Sequence, residues 1–238
     1  MKVNFTKKVS VSVVVPVVNA EKFIKNNVLH IEKYLKNNKN IEKYEIIVSV
    51  QTSKDKTWDI AKKLKSATIK PVFSKKKGKW VGLKKGFVVA KYSWIVMLDS
   101  DLSYPIEFLD DALKHTEFDI IIGSRYVKGV ERHNIPVVRK FFSWGYRTLV
   151  RVLFGLREKD IQVGCKLIRK EIFRNIEITD DSWVGDTELL YKSKKKGYIS
   201  FEVPIDYGYS LNELSVSKAA PKMFFAILKL RLKLWGLI

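Results

Sequence analysis

Cysteine is almost absent from this 238-residue chain, where Cys165 stands alone. A single thiol excludes any internal disulfide and favours a cytoplasmic location. Histidine is nearly as scarce: His30, His115 and His133 are scattered, and no Cys/His spacing matches a zinc site. Long apolar runs are missing too, none reaching the ~18 residues that span a bilayer. The opening "MKVNFTKKVSVSVVVPVVNA" has the outline of a signal peptide, with basic residues before an apolar stretch. Ser10 and Ser12 interrupt that stretch, Pro16 closes it, and no small-residue cleavage site follows, so it reads as a buried first strand. Neither an internal repeat nor a low-complexity linker divides the chain.

Acidic residues are the remaining shortage. There are 25 Asp+Glu against 45 Lys+Arg, a formal net charge of +20. Such an excess draws a protein to polyanions: nucleic acid, anionic lipid surfaces or phosphorylated substrates. A lysine-rich, well-solvated surface produces the same figure with no partner at all. Nucleic acid has the weakest support, because no recognised reading motif accompanies the charge.

What is present suits a folded domain, with 46% hydrophobic and 12% aromatic residues in a chain long enough to bury a large core. Short apolar, β-rich runs are predicted at Val9–Val15, Ile46–Val50, Trp94–Leu98 and Asp119–Ile122. Helical patterns separate or follow them at Glu21–Leu35, Thr57–Leu64, Val81–Ala90 and Pro105–Lys114. Strands without strong alternation, separated by helices, predict an α/β fold whose mostly parallel sheet is covered on both faces. Ligands of such sheets bind beyond the carboxyl ends of the strands. "VVVPVVN", "VSVQTSKD", "MLDSD" and "IIGSR" each put their polar residues there, so four strand ends converge on one crevice.

The second half is less regular. Pro136–Phe154 predicts a basic helix carrying Arg139, Lys140, Arg147 and Arg151 among aromatics, and Asp186–Lys196 predicts another. "YISFEVPIDY" reads as a strand whose proline suits an edge position. From Pro221 the tail "PKMFFAILKLRLKLWGLI" mixes apolar blocks with Lys222, Lys229, Arg231 and Lys233. A C-terminal amphipathic helix of this kind can lie on an anionic membrane, or pack against its own domain.

In "IVMLDSDLSYP" a buried run ends on two carboxylates one residue apart, Asp99 and Asp101. Carboxylates so close repel unless they share a cation or a proton. Hard oxygen ligands suit Mg²⁺ or Mn²⁺, which in turn bridges nucleotide phosphates. The plainer alternative is a pair of solvated aspartates at the start of the helix predicted from Pro105.

In order, "VSVVVPVVN", "EIIVSVQTSKDKT", "GKWVGLKKGFVVA", "WIVMLDSDLSYP", "IIGSRYVKG" and "DIQVGCKLIRKEIF" resemble the family 2 glycosyltransferases of GT-A (Rossmann-like) fold. Within that family the chain is most similar to the dolichyl-phosphate mannose synthases and related polyprenyl-phosphate sugar transferases. The resemblance runs from Val9 to about Lys218, with "DSDLSYPIEFL" followed by "IIGSRYVKG" as its specific part. It implies a single catalytic domain over residues 1–220, about 9–123 for the nucleotide-sugar and 124–220 for the acceptor, then a membrane-associating tail at 221–238.

The implied activity is metal-dependent, inverting transfer of a hexose, mannose or glucose, from a GDP- or UDP-linked sugar to a polyprenyl phosphate, by a protein peripheral to the membrane. The first alternative is a family member acting on a glycan or lipid hydroxyl. The second is an inactive, membrane-binding homologue. By resemblance, Asp99 and Asp101 bind the metal with Ser103 as a further polar ligand, and Pro16, Val18, Asn19, Gln51, Lys79 and Ser100 line the donor site with them. Arg125, Arg139 and Ser143 match residues that hold the acceptor phosphate, and Ser217 and Lys218 match a closing loop, with Lys218 on the acceptor side. A phosphate acceptor is already an anion and needs no base, whereas a hydroxyl acceptor does. Asp186 or Glu188 in "WVGDTELL" stands where a base is expected, though Asp186 can equally be a charge at a helix start. "KKKGK", Lys75 to Lys79, is either a solvated loop or an approach of Gly78 and Lys79 to the donor phosphates.

The chain departs from the family pattern in the donor pocket. After the first strand Val18 replaces an aromatic and Ala20 an acid, and after the second strand Val50 and Gln51 replace a pair of aspartates. The metal pair is intact, while the side that reads the base is altered.

Overall fold

The computed structural model describes residues 8–127, 130, 137–205 and 216–237, with side chains of 137–140 and 216–221 outside the description. In chain order the elements begin with β1 (Val9–Val17), α1 (Ile24–Asn37), β2 (Ile41–Gln51), α2 (Thr57–Lys63), β3 (Ile69–Ser74), α3 (Lys79–Val89) and β4 (Trp94–Leu98). They continue with α4 (Leu109–Ala112), β5 (Ile120–Ser124), α5 (Val137–Phe154), β6 (Cys165–Arg169), α6 (Ile172–Asn175), α7 (Gly185–Lys195), β7 (Ser200–Pro204) and α8 (Val216–Leu234).

Among the described residues seven strands form one sheet in the order β3-β2-β1-β4-β6-β5-β7. Pairs β1–β2, β1–β4, β2–β3 and β5–β7 are parallel. Strand β6 runs antiparallel to both its neighbours, β4 and β5. β1 and β4 are central because both of their faces are apolar: Val11, Val13, Val14, Val15 and Val17 of β1 are buried, and so is every residue of β4. Helix α1 covers one face through Ile24, Val28, Ile31 and Leu35, the spacing of a single helical stripe. On α3, Trp80, Leu83 and Phe87 are buried at three- and four-residue intervals.

The predicted strand at Trp94–Leu98 coincides with β4, and the other three strand runs fall within or overlap their elements. Two strands escape prediction. In β3, Lys70 and Pro71 break the apolar run, and the strand tolerates proline because it is the sheet edge. In β6, Lys166 and Arg169 do the same, yet β6 is an interior strand. The helix expected over Pro105–Lys114 is instead a 3₁₀ turn (Ile106–Phe108), the short α4 and a second 3₁₀ turn (Leu113–His115). Ile106, Phe108, Leu109, Ala112 and Leu113 are all buried, so this broken segment packs on the core on more than one side.

Helix α8 begins at Val216, so the expected start of the tail at Pro221 lies within it. It packs on α5, burying Ile227 and Leu230. Arg231 Nη1 donates to Tyr191 Oη at 3.0 Å and its guanidinium lies 4.2 Å from the Trp235 ring. Phe224, Phe225, Leu232, Trp235 and Leu237 face outward. Among the described residues no helix is long and apolar enough to cross a membrane.

Candidate active site

The central strand β4 delivers Asp99 at its carboxyl end, where the chain reverses at once. Leu102 N–H donates to the Asp99 carbonyl at 3.2 Å, and Ser103 N–H donates to Asp101 Oδ1 at 3.0 Å. Leu102 closes this turn with φ of 51°, a left-handed conformation that costs a leucine ~1–3 kcal/mol. Asp99 is half-buried and leans over the segment leading into β6, where an added Cβ on Gly164 would overlap its Oδ2. Only glycine at 164 leaves room for this carboxylate. Asp101, by contrast, is exposed.

A chain of alternating charges descends from Asp99 into the core. Lys79, the first residue of α3, puts Nζ 3.5 Å from Asp99 Oδ1 and 3.5 Å from Asp186 Oδ2. Asp186 lies in the first turn of α7, 1% exposed, and Trp80 Nε1 donates to its Oδ2 at 3.3 Å. Its Oδ1 accepts from Lys166 Nζ at 2.6 Å, and that ammonium also donates to the Val163 carbonyl at 2.7 Å. Burial pushes the Asp186 carboxyl up, but Lys166 and Lys79 more than offset it and hold it below the ordinary carboxylate range. Burial likewise works to lower the Lys79 pKa, yet Asp186 and Asp99 raise it above its ordinary value. Gly78 sets the entry to α3 with φ of 138°, its Cα so close to the Asp181 carbonyl that a Cβ would lie 2.5 Å from the oxygen. Of the "KKKGK" run, then, Lys79 turns inward while Lys75, Lys76 and Lys77 are exposed.

The loops after β1 and β2 are stapled together. Asn19, with φ of 49°, donates its N–H to Ser53 Oγ at 3.1 Å and accepts Lys54 N–H on Oδ1 at 2.8 Å. Val18 points outward at 43% exposure, and Ala20 is buried. Pro16 packs beside Gly82 of α3, next to Gln51. The Gln51 carboxamide oxygen accepts Gly78 N–H at 2.7 Å, so this residue pins β2 to the start of α3. Ser100 is half-buried, and its carbonyl accepts from Asn27 Nδ2 at 2.8 Å.

On the other side of the sheet's carboxyl edge, Arg125 follows β5 and meets buried Asp160. Its Nε and backbone N–H donate to Asp160 Oδ2 at 2.8 and 2.9 Å, and its Nη2 to Oδ1 at 2.8 Å. Tyr126 Oη lies 2.8 Å from Ser143 Oγ, and the Arg147 guanidinium stacks 3.8 Å from the Tyr126 ring. Arg125, Tyr126, Ser143 and Arg147 thus share one neighbourhood. The side chains of Arg139, Ser217 and Lys218 lie outside the described residues. Glu188 is occupied elsewhere: it accepts Thr179 N–H and Asp180 N–H at 3.1 and 2.9 Å and pairs with Lys192 at 2.6 Å.

Whether the Asp99–Asp101 turn suits a divalent cation is decided by its donor set. It offers carboxylates only, one half-buried and one exposed, beside a lysine that already brings positive charge to Asp99 within 3.5 Å. Among the described residues no three His, Cys, Asp or Glu cluster. Two hard oxygen donors with the remaining positions left to phosphate and water are what Mg²⁺-type sites use, so the residues fit.

The architecture is that of the GT-A glycosyltransferases. It matches the crystal structure of glucosyl-3-phosphoglycerate synthase from Mycobacterium tuberculosis, solved with Mn²⁺, uridine-diphosphate-glucose and phosphoglyceric acid, at a TM-score of 0.67 and 16% identity, over 94% of this chain and 79% of that one. The chain belongs to glycosyl transferase family 2, whose family model matches residues 12–177. It is 32% identical over 226 residues to dolichol-phosphate mannosyltransferase of Pyrococcus furiosus, covering 92% of this chain and 62% of that protein. It is 30% identical over 231 residues to a dolichyl-phosphate beta-glucosyltransferase of Trichomonas vaginalis, covering 88% and 68%. The chain therefore spans less than two thirds of the Pyrococcus relative's length.

Sequence reading missed Gly164, Lys166, Trp80 and Asp160, which shape this site from beneath. One signal was available for Lys166: a lysine inside an apolar stretch, between Cys165 and Leu167–Ile168, breaks the rule for an interior strand and asks for a partner.

Proposed function

We propose that this chain transfers a hexose from a nucleotide-sugar to a polyprenyl phosphate, with inversion, at an anionic membrane surface. The acceptor's phosphate oxygen attacks the anomeric carbon, the bond from that carbon to the nucleoside diphosphate breaks, and the diphosphate leaves as an anion. Asp99 and Asp101 would hold Mg²⁺ or Mn²⁺, with Ser103 beside them, and the bound ion would supply Lewis-acid stabilisation of the leaving oxygens. Lys79 adds an ammonium at the same place. The loop of Pro16, Val18 and Asn19, with Gln51 and Ser100, borders the donor.

One observation favours a phosphate over a hydroxyl acceptor. Asp186, the residue positioned to serve as base, is buried between two ammonium groups with its carboxyl held low. A carboxylate so stabilised is a poor proton acceptor, and a phosphate needs none. By resemblance Arg125, Arg139, Ser143 and Lys218 serve the acceptor phosphate. Arg125 has its fork on Asp160 and so frames the site, while the Arg147 guanidinium beside Tyr126 and Ser143 supplies a fork that suits the anion. The outward aromatics Phe141 and Trp144 on α5 and Phe224, Phe225 and Trp235 on α8, with exposed Lys222, Lys229 and Lys233, support docking on anionic lipid.

The test pairs GDP- and UDP-linked mannose and glucose with a short polyprenyl phosphate or, in parallel, a glycan acceptor, each with Mn²⁺, for the wild type and Asp101→Ala. Lipid-linked hexose forms with one donor, and Asp101→Ala lowers the rate by at least about 100-fold. Equal rates in the two proteins, or transfer to a glycan hydroxyl with none to the phosphate, would overturn the reading.

A further inference from the structure

Lys166 is 0% exposed, in the interior strand β6, within reach of the site but without access to it. Stability is a weak reason for it, because an apolar residue in place of a buried ion pair is often neutral or better. Its geometry suggests another. The Lys166–Asp186 contact is short, 2.6 Å, and occupies Oδ1 alone. Lys79 stands on the opposite oxygen at 3.5 Å, and at the same 3.5 Å from Asp99. Both Lys79 contacts are longer than the ~2.7–2.9 Å of a formed charge-assisted hydrogen bond. Lys79 is therefore suspended between two carboxylates, and its position follows the balance of their pull.

We infer that Lys166 is a positioning residue: by neutralising Asp186 from below, it keeps that carboxylate from drawing Lys79 down and leaves the Lys79 ammonium shared with Asp99, where metal and diphosphate meet. The inference rests on reading Asp99 as a metal ligand. Without Lys166, the whole charge of Asp186 faces Lys79, which moves onto it and away from Asp99. The two binding steps then respond with opposite signs. Asp99 loses a competing cation and binds a divalent ion more tightly in the absence of nucleotide. The nucleoside diphosphate loses a nearby ammonium and binds less tightly. A residue that merely supported packing would weaken both.

The experiment compares wild type, Lys166→Met, Lys79→Met and the double variant. Binding of Mn²⁺ alone is followed by the electron paramagnetic resonance of the free ion, and binding of UDP and GDP at saturating Mn²⁺ by calorimetry. Lys166→Met is expected to tighten Mn²⁺ and weaken the nucleoside diphosphate, each by about tenfold, the scale on which residues behind a metal ligand act. Lys79→Met should shift both in the same directions, and the double variant should match Lys79→Met. Should Lys166→Met not fold, Asp186→Asn serves. It releases Lys79 toward Asp99 and should weaken Mn²⁺ alone. Unchanged or weaker Mn²⁺ binding in Lys166→Met, a further shift in the double variant, or unchanged or tighter Mn²⁺ binding in Asp186→Asn overturns the inference alone. A wild type that takes up no Mn²⁺ removes the metal reading as well.

Discussion

Asp160 and Asp186 are both buried carboxylates facing cations, and the manner of holding differs. Asp160 receives three N–H donors from a single residue, Arg125, at 2.8 to 2.9 Å, and its own backbone N–H is tied to Glu202 Oε1 at 3.0 Å. Asp186 divides its oxygens between Lys166 at 2.6 Å and the looser Lys79 at 3.5 Å, and Lys79 belongs equally to Asp99. The first arrangement is closed, its geometry fixed by a planar fork. The second is open at one end, and the open end is where the site's chemistry lies. Tight pairing builds the frame that carries the loop after β5; loose pairing leaves a cation that can be redirected.

The largest effect should come from breaking the closed pair. Asp160→Asn removes the charge beneath a guanidinium that is itself mostly buried, and loss of one partner of a buried pair costs about 3–5 kcal/mol. Urea unfolding followed by far-UV circular dichroism reads this directly. A loss below about 1 kcal/mol would mean that the Arg125 fork is easily re-solvated and the frame is no frame.

Gly164→Ala probes the open side with a smaller structural cost. The added methyl overlaps Asp99 Oδ2, and because Asp99 is half-buried its carboxylate can swing away. Overpacking of this kind costs about 1–3 kcal/mol. The signature is a mismatch: the protein stays folded at 25 °C, while affinity for Mn²⁺ drops by about tenfold or more because Asp99 has left its place. Retained Mn²⁺ affinity would separate Asp99 from metal binding.

The open and closed pairs also differ in how much the sequence disclosed. β4 was legible residue for residue because a central parallel strand is apolar on both faces, and the aspartates at its end stand out against that run. Asp186 was legible as a charge at a helix start, but its environment was not: Trp80, Lys79 and Lys166 come from α3 and β6, which only the folded sheet brings to α7. β6 itself hid behind Lys166, the residue that makes it informative. Gln51 was expected to line the donor pocket, and its oxygen also accepts Gly78 N–H, a backbone contact that no residue pattern announces. Pattern finds elements whose burial is uniform; it loses those whose polar residues are satisfied across long stretches of chain.

The smallest effect, and the one that separates Asp186 from a titrating base, lies in the acid limb of stability. The Asp186 carboxyl is held below its ordinary value by Lys166 and Lys79 against the upward push of burial. A carboxyl whose folded pKa is depressed adds stability that is fully present above its unfolded pKa, about 3.9, and lost as pH falls through the folded value. The stability difference between wild type and Asp186→Asn should therefore be constant from pH 7 down to about pH 5 and shrink below about pH 4. Urea midpoints at half-unit intervals from pH 7 to pH 2.5 read that difference. Narrowing that began near pH 6 would mean a raised carboxyl pKa, the property of a poised general base, and would move the acceptor from a phosphate to a hydroxyl.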